Sequence, residues 1–186
     1  MKFKHGIILL AAAAVLAGGG AYLAFRRAPT PGLRPAQPRV VAGGEEIASS
    51  VYLYFSDRES DYLTAETRVL PHAPGPGPLG RAIVTALIAG PRSNRLPTLP
   101  EQTQLRAFYI AENGTAYVDL SEAASEMHPG GAQAELMTIY SIVDSLVLNI
   151  PEIQRVKILL AGEEAASLAG HIDLRHPLAA NMLILR

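Results

Sequence analysis

Three residues near the C-terminus have the types that a metal site needs. His171, Asp173 and His176 set a carboxylate between two imidazoles, and on extended chain His171 and Asp173 would face the same way. Their spacing matches no established zinc pattern, so the plainer expectation is a turn at Gly170-His171 with Asp173 accepting local hydrogen bonds. Ser121 is a second candidate, since His72, His128, His171 or His176 could supply a base for a serine nucleophile. No nucleophile elbow surrounds it. Followed by Glu122, it reads as the cap of a helical turn, with the acid beside the positive helix end. Arg58, Glu59 and Asp61 read as a solvated loop that, next to Tyr52 and Tyr54, could also touch a glycan or peptide. The chain has no cysteine, which removes thiolate nucleophiles, disulfides, cysteine-based metal sites and acylated cysteine anchors.

Any such site must be carried by the elements from Val51 onward. Val51, Leu53 and Phe55 alternate with Tyr52 and Tyr54 as on a half-buried strand, and Thr64 to Leu70 is expected to pair with it. Pro71 to Pro78 is a loop rich in proline and glycine. Leu79, Ile83, Ala86, Leu87 and Ala89 follow helical spacing up to a stop at Gly90-Pro91. Residues 104–120 read as a hairpin turning at Asn113-Gly114, the dipeptide of a two-residue type I′ turn. Pairing Glu112 with Thr115 turns Leu105, Ala107, Tyr109, Ala111, Ala116, Val118 and Leu120 to the core. Phe108, Ile110 and Tyr117 then fall on the outer face, with Ile110 across from Tyr117. That face is more apolar than solvent requires, so either the domain's own helices or a partner should cover it. Leu136, Ile139, Tyr140, Val143, Leu146, Val147 and Ile150 mark a second helix. A strand at Val156–Leu160 follows, and Gly162 to Asp173 is expected to turn back into a last short strand. The fold class expected is α+β: a small two-layer domain with a mostly antiparallel mixed sheet and two main helices.

Ahead of that domain, Gly6 to Phe25 runs for 20 residues without a charge, about the length of a membrane-crossing helix. The run exceeds the apolar core of a typical signal peptide and is followed by Arg26-Arg27, which favours an uncleaved signal anchor over residues 1–25. Residues 26–49 hold four prolines and no periodicity; they read as a tether reaching up to about 70 Å if extended. Residues 50–186 are one domain. From Val51 onward, 10 Lys and Arg stand against 15 Asp and Glu, a net charge of −5, whereas the whole chain carries −1. Such a domain repels phosphate backbones, so no nucleic acid is expected as a partner.

Several strings together resemble a known family: YFSD at 54–57, LTAETRVL at 63–70, LIAGP at 87–91, TQLRAFYIAENGTAYVDLS at 103–121 and LAGHIDL at 168–174. Their order and spacing resemble the GerMN domain of sporulation, spore-germination and other envelope proteins, over nearly all of residues 51–178. The resemblance implies an extracytoplasmic domain tethered by a signal anchor or lipid, with a role in assembly or binding and no established catalysis. Some members resemble ring-building domains of sporulation channels. This chain departs from the lipoprotein members in having no lipobox cysteine, and it carries one domain copy rather than a tandem pair.

The expectation is therefore a single-pass membrane protein, held by its N-terminal helix, whose soluble domain lies outside the cytoplasm. It needs no cofactor or metal, is not an enzyme, and binds an envelope protein, a copy of itself or peptidoglycan. The candidate binding residues are Phe108, Ile110 and Tyr117. The rival readings are a periplasmic ligand- or peptidoglycan-binding module and an envelope hydrolase using Ser121 or the His171, Asp173, His176 group.

Overall fold

Alternation of apolar and polar residues writes the first two strands. In the computed structural model, which describes residues 46–186, β1 (Ile47–Ser56) pairs antiparallel with β2 (Leu63–His72). Val51, Leu53 and Phe55 point inward and are buried, while Tyr52 stays exposed. β1 opens at Ile47, inside the stretch assigned to the tether; the apolar run and the tether as far as residue 45 lie outside the described residues. Among the described residues no helix is long and apolar enough to cross a membrane.

Helix α1 (Pro76–Ile88) starts three residues earlier than its apolar periodicity, because Pro76 and Pro78 fit a first turn whose amides need no intrahelical partner. It ends as expected at Gly90, whose φ of 83° supplies the left-handed residue that closes the last turn. β3 (Leu105–Ile110), β4 (Thr115–Leu120), β5 (Arg155–Leu160) and the two-residue β6 (Glu163–Glu164) form a second sheet in that order, with β4 and β5 parallel. A short α2 (Ala123–Glu126) and the long α3 (Ala132–Val147) make the crossover between β4 and β5. The architecture is α+β with two main helices, but the expected single mixed sheet is two sheets, of two and four strands. The expected return strand after Gly162 shrinks to β6. Beyond it, loop 165–174 takes its shape from buried polar groups rather than from a ladder.

One core joins both sheets. Phe55 and Leu53 of β1, Ile83 and Leu87 of α1, Ile139, Ile142 and Leu146 of α3, and Val118, Leu120 and Ile158 of the larger sheet all fall in one buried cluster. Each such side chain contributes about 1.5–3 kcal/mol on leaving water. The outer edge of β1 is closed by α3 and the residues after it. Asn149 accepts from the Tyr52 amide at 2.9 Å and donates to the Tyr52 carbonyl at 2.7 Å, and Ser145 Oγ accepts from the Tyr54 amide at 3.0 Å. Two side chains thus stand in for a neighbouring strand.

The hairpin departs from its expected register by one residue. Gly114 N donates to Ala111 O at 3.0 Å and Ala111 N to Thr115 O at 2.9 Å, so the loop is Glu112-Asn113-Gly114. Gly114 has φ 76° while Asn113 does not share a positive φ, so the turn is type I followed by a glycine bulge rather than type I′. The slip leaves Ala116, Val118 and Leu120 of β4 on the core side as expected and turns over Phe108, Tyr109 and Ile110 of β3. Phe108 now opposes Val118 and both are buried, Ile110 opposes Ala116 on the core side, and Tyr109 opposes Tyr117 on the outside. Phe108, Ile110 and Tyr117 therefore do not share an exposed face. A bulge at Arg106 shifts the register once more and pairs Leu105 with Leu120.

Candidate functional site

Most of the residues singled out for catalysis are engaged in holding the chain, and His176 is exposed. Ser121 Oγ accepts from the Gln104 amide at 3.0 Å, fixing the start of β3 rather than a helix cap. Arg175 grips Asp173 through its backbone amide at 2.9 Å, Nε at 3.0 Å and Nη2 at 2.9 Å. Those bonds, led by the guanidinium, hold the Asp173 carboxyl at about 2. His72 bonds Ser49 Oγ at 2.9 Å and the Ala73 carbonyl at 2.6 Å, and His128 bonds Thr138 Oγ1 and the Gly130 amide, both at 3.0 Å. Among the described residues no three His, Asp or Glu side chains stand where they could hold a metal ion.

His171 leads to a residue that periodicity passed over. Its Nδ1 lies 3.1 Å from Oε2 of Glu135, a fully buried carboxylate on the inner face of α3. Glu135 accepts from the amides of Leu168, Ala169 and His171, each at 2.8 Å. Burial would raise its pKa, but the amides of Ala169, His171, Ile172 and Leu168 outweigh burial and hold it below the ordinary value. One carboxylate thereby shapes the LAGHIDL segment. Its signal in the sequence is position: Glu135 falls four and seven residues before Ile139 and Ile142, on the apolar stripe of the helix. Asp144, also on α3 and also fully buried, behaves oppositely. Its Oδ1 accepts from the Asn181 amide at 2.9 Å and Oδ2 has no partner among the described residues, so burial pushes its carboxyl up to about 7.

A surface suited to binding lies between β2 and α1. A groove of about 890 Å³ runs between Arg68, Leu70 and Pro71 on one side and Ala82, Ala86 and Ala89 on the other, and Phe108 also lines it. The small residues of α1 leave it open. Gly80 admits the Phe108 ring against the helix, since a Cβ there would overlap the ring. Arg68 ties strand to helix by donating to the carbonyls of Ala86 at 3.3 Å and Gly90 at 3.2 Å, with its guanidinium over the Phe55 ring. It also pairs with Glu66, which takes hydrogen bonds from Ser93 and from the amides of Arg92 and Ser93. Burial would raise the Glu66 pKa; Ser93, Arg68 and those amides overcome it and leave the carboxyl at about 2. The loop after α1 is thus pinned at the end of the groove. On the far side of the hairpin Tyr109 and Tyr117 stack with ring centres 4.6 Å apart and planes 6° from parallel, Tyr109 being half exposed.

Two sheets packed with two main helices, and an open groove beside an edge strand, define a small α+β domain. The family described as Germane, sporulation and spore germination, matches residues 52–166, and the chain belongs to it. Among solved structures it is similar to a protein described as a candidate lipoprotein of Clostridium perfringens. They share 27% identity over 75% of this chain and 92% of that one, with a TM-score of 0.52. It is also similar to the first GerMN domain of the sporulation protein GerM from Bacillus subtilis, at 21% identity over 72% of this chain and 96% of that one (TM-score 0.54). The tandem GerMN domains of the same protein match at 20% identity over 73% of this chain, which spans 46% of the tandem chain (TM-score 0.55). At those identities the two GerM structures bear on fold alone. No curated protein matches the chain.

Proposed function

We propose that this chain is a membrane-anchored, non-enzymatic protein of the cell envelope whose Germane domain binds a partner outside the cytoplasm, in a sporulation-type assembly. The observation that carries this reading is the groove between β2 and α1. It offers a strand, a helix face of alanines and arginine side chains, and His72, which lines it, has both ring nitrogens occupied by Ser49 and Ala73. Such a lining recognises and holds; it assembles no nucleophile with a base. The charge-free run Gly6–Phe25 supports anchoring, and residues 26–45 would let the domain reach a partner away from the bilayer. A second reading, capture of wall glycan, is favoured by one observation: the stacked Tyr109 and Tyr117 present an aromatic shelf to solvent.

The test is made on the full chain. Fused to alkaline phosphatase after Arg186, it should be active and remain with membranes through an alkaline wash. An inactive fusion, or one released by the wash, overturns the anchored, extracytoplasmic reading. Sedimentation with isolated sacculi, lost on replacing both Tyr109 and Tyr117 by alanine, would move the partner from protein to wall.

A further inference from the structure

β2 has one edge paired with β1 and one edge open. The amides of Tyr52 and Tyr54 go to Asn149 and Ser145, so the bonded pairs of the ladder are those of Val51, Leu53 and Phe55 with Arg68, Glu66 and Thr64. Ala65, Thr67 and Val69 consequently turn their N–H and C=O groups to the open edge. At one end the chain already uses it: Leu185 bridges Leu63 in parallel sense, and Arg186 N donates to Leu63 O at 2.9 Å. From Ala65 to Val69 no backbone partner is present among the described residues, and Val69 is 61% exposed.

The groove lies beside this edge, and its charge is one-sided. Arg68, Arg81 and Arg92 line it and, among the described residues, no aspartate or glutamate does, in a domain whose net charge is −5. Arg68 is 5% exposed, and its Nε has no hydrogen-bond partner among the described residues. A buried guanidinium N–H left unpaired beside a groove is satisfied by an acceptor that enters it. Glu66 pairs with Arg68 and offsets that one charge, so the positive charge left to the groove among the described residues is that of Arg81 and Arg92.

We infer that the partner is an extended, carboxylate-bearing segment of another protein, added as a strand to the open edge of β2, with alternate side chains entering the groove. This rests on the binding reading above. Main-chain hydrogen bonds to Ala65, Thr67 and Val69 supply affinity; small apolar side chains fit against Ala82, Ala86 and Ala89, and carboxylates meet the arginines. The chain's own tether is an unsuitable occupant: it carries Arg26, Arg27, Arg34 and Arg39, and its acidic residues, Glu45 and Glu46, directly precede β1 in the chain.

The experiment titrates the full chain in detergent with a blocked seven-residue peptide whose positions 2, 4 and 6, which share one face of a strand, are Glu, Val and Glu and whose other positions are Thr, read by amide NMR shifts and calorimetry. Saturable binding is expected, with shifts confined to residues 65–72 and 77–92. Substituting Lys for Glu in the peptide should weaken it by about tenfold or more, as should Arg81→Glu in the protein. Val69→Pro removes an edge amide that β1 does not use, so it leaves the fold intact and should abolish binding. Shifts elsewhere, equal binding of the Lys peptide, or binding indifferent to Val69→Pro overturns the proposal, the last outcome marking an anion site only. Concentration-dependent self-association through β2 that the peptide does not displace also overturns it. If the peptide fails while the membrane-held, exported fusion is confirmed, strand addition falls and the envelope reading stands.

Discussion

Replacing Glu135 by alanine should unfasten the segment from Leu168 to Leu174 at a cost that the structure allows to be worked out. Three amides at 2.8 Å lose a charged acceptor. A hydrogen bond to a charged group contributes about 1.5–3 kcal/mol net, and a buried donor left unpaired keeps its full desolvation penalty. Leu168 is 2% exposed, so its amide takes that loss in full, whereas the amides of Ala169 and His171 are nearer solvent and recover part of theirs from water. The sum is about 4 kcal/mol, a large share of the 5–15 kcal/mol typical of a domain. Urea unfolding at pH 7 should show the midpoint falling at constant slope, and hydrogen exchange should quicken at 168–174 before anywhere else. Glu135→Gln should recover only part of the loss, because its amide N–H₂ faces donors where Oε1 or Oε2 accepted. The Glu135 pKa is depressed on folding, so its stabilisation is complete above the unfolded carboxyl's pKa and is lost as pH falls through the folded one. The wild-type and alanine curves should therefore converge in acid. A loss under about 1 kcal/mol with exchange at 168–174 unchanged would refute the reasoning.

Asp144 should show the opposite pH dependence. Its carboxyl rises from 3.8 to about 7 on folding, so stability is present below the unfolded value and declines as pH rises through the folded one. Asp144→Asn should flatten that decline and be more stable at pH 8 by about 2–4 kcal/mol, read from urea midpoints at pH 5 and pH 8; parallel curves would show that the carboxylate is not disfavoured. Gly80→Ala should lose about 1–3 kcal/mol by thrusting a methyl into the Phe108 ring, and adding Phe108→Leu should restore most of it in thermal melts. Asn149→Ala strips the side-chain cap from β1 and should cost about 1–2 kcal/mol, with faster exchange at the Tyr52 amide. Unchanged exchange there would show that water replaces the cap at no loss.

Elements with strong periodicity were legible from residue order. β1, β2, the C-terminal stop of α1 at Gly90, α3 and β5 follow the alternation or helical spacing that marks them. The hairpin existed where Asn113-Gly114 placed it, and β4 kept its expected faces, yet those of β3 were inverted. Both a two-residue turn and a three-residue turn with a bulge accept Gly at 114, and the choice depends on tertiary contact. Here Gly114 O accepts from the Gln154 amide at 2.8 Å, so the parallel approach of β5 helps hold the bulge in place. Packing of Phe108 on Gly80 supplies the other half of the decision. Glu135 and Asp144 were visible as acids on an apolar helical stripe, but their opposite protonation behaviour depends on which loop amides reach them. The groove was not legible, since it joins residues about 20 positions apart on a strand and a helix whose relative placement no local pattern encodes. The family strings, by contrast, carried the fold because their order persists where individual motifs are weak.

Hydrogen exchange of the full chain in its native envelope membranes, compared with the same chain purified in detergent, tests most directly whether this domain works by holding a partner along β2 and α1. Slower exchange in the membranes at residues 64–72 and 77–92, with the rest of the domain unchanged, is the result the account predicts. Slowing confined to the face of Tyr109 and Tyr117, or equal exchange throughout the domain in both preparations, would contradict it.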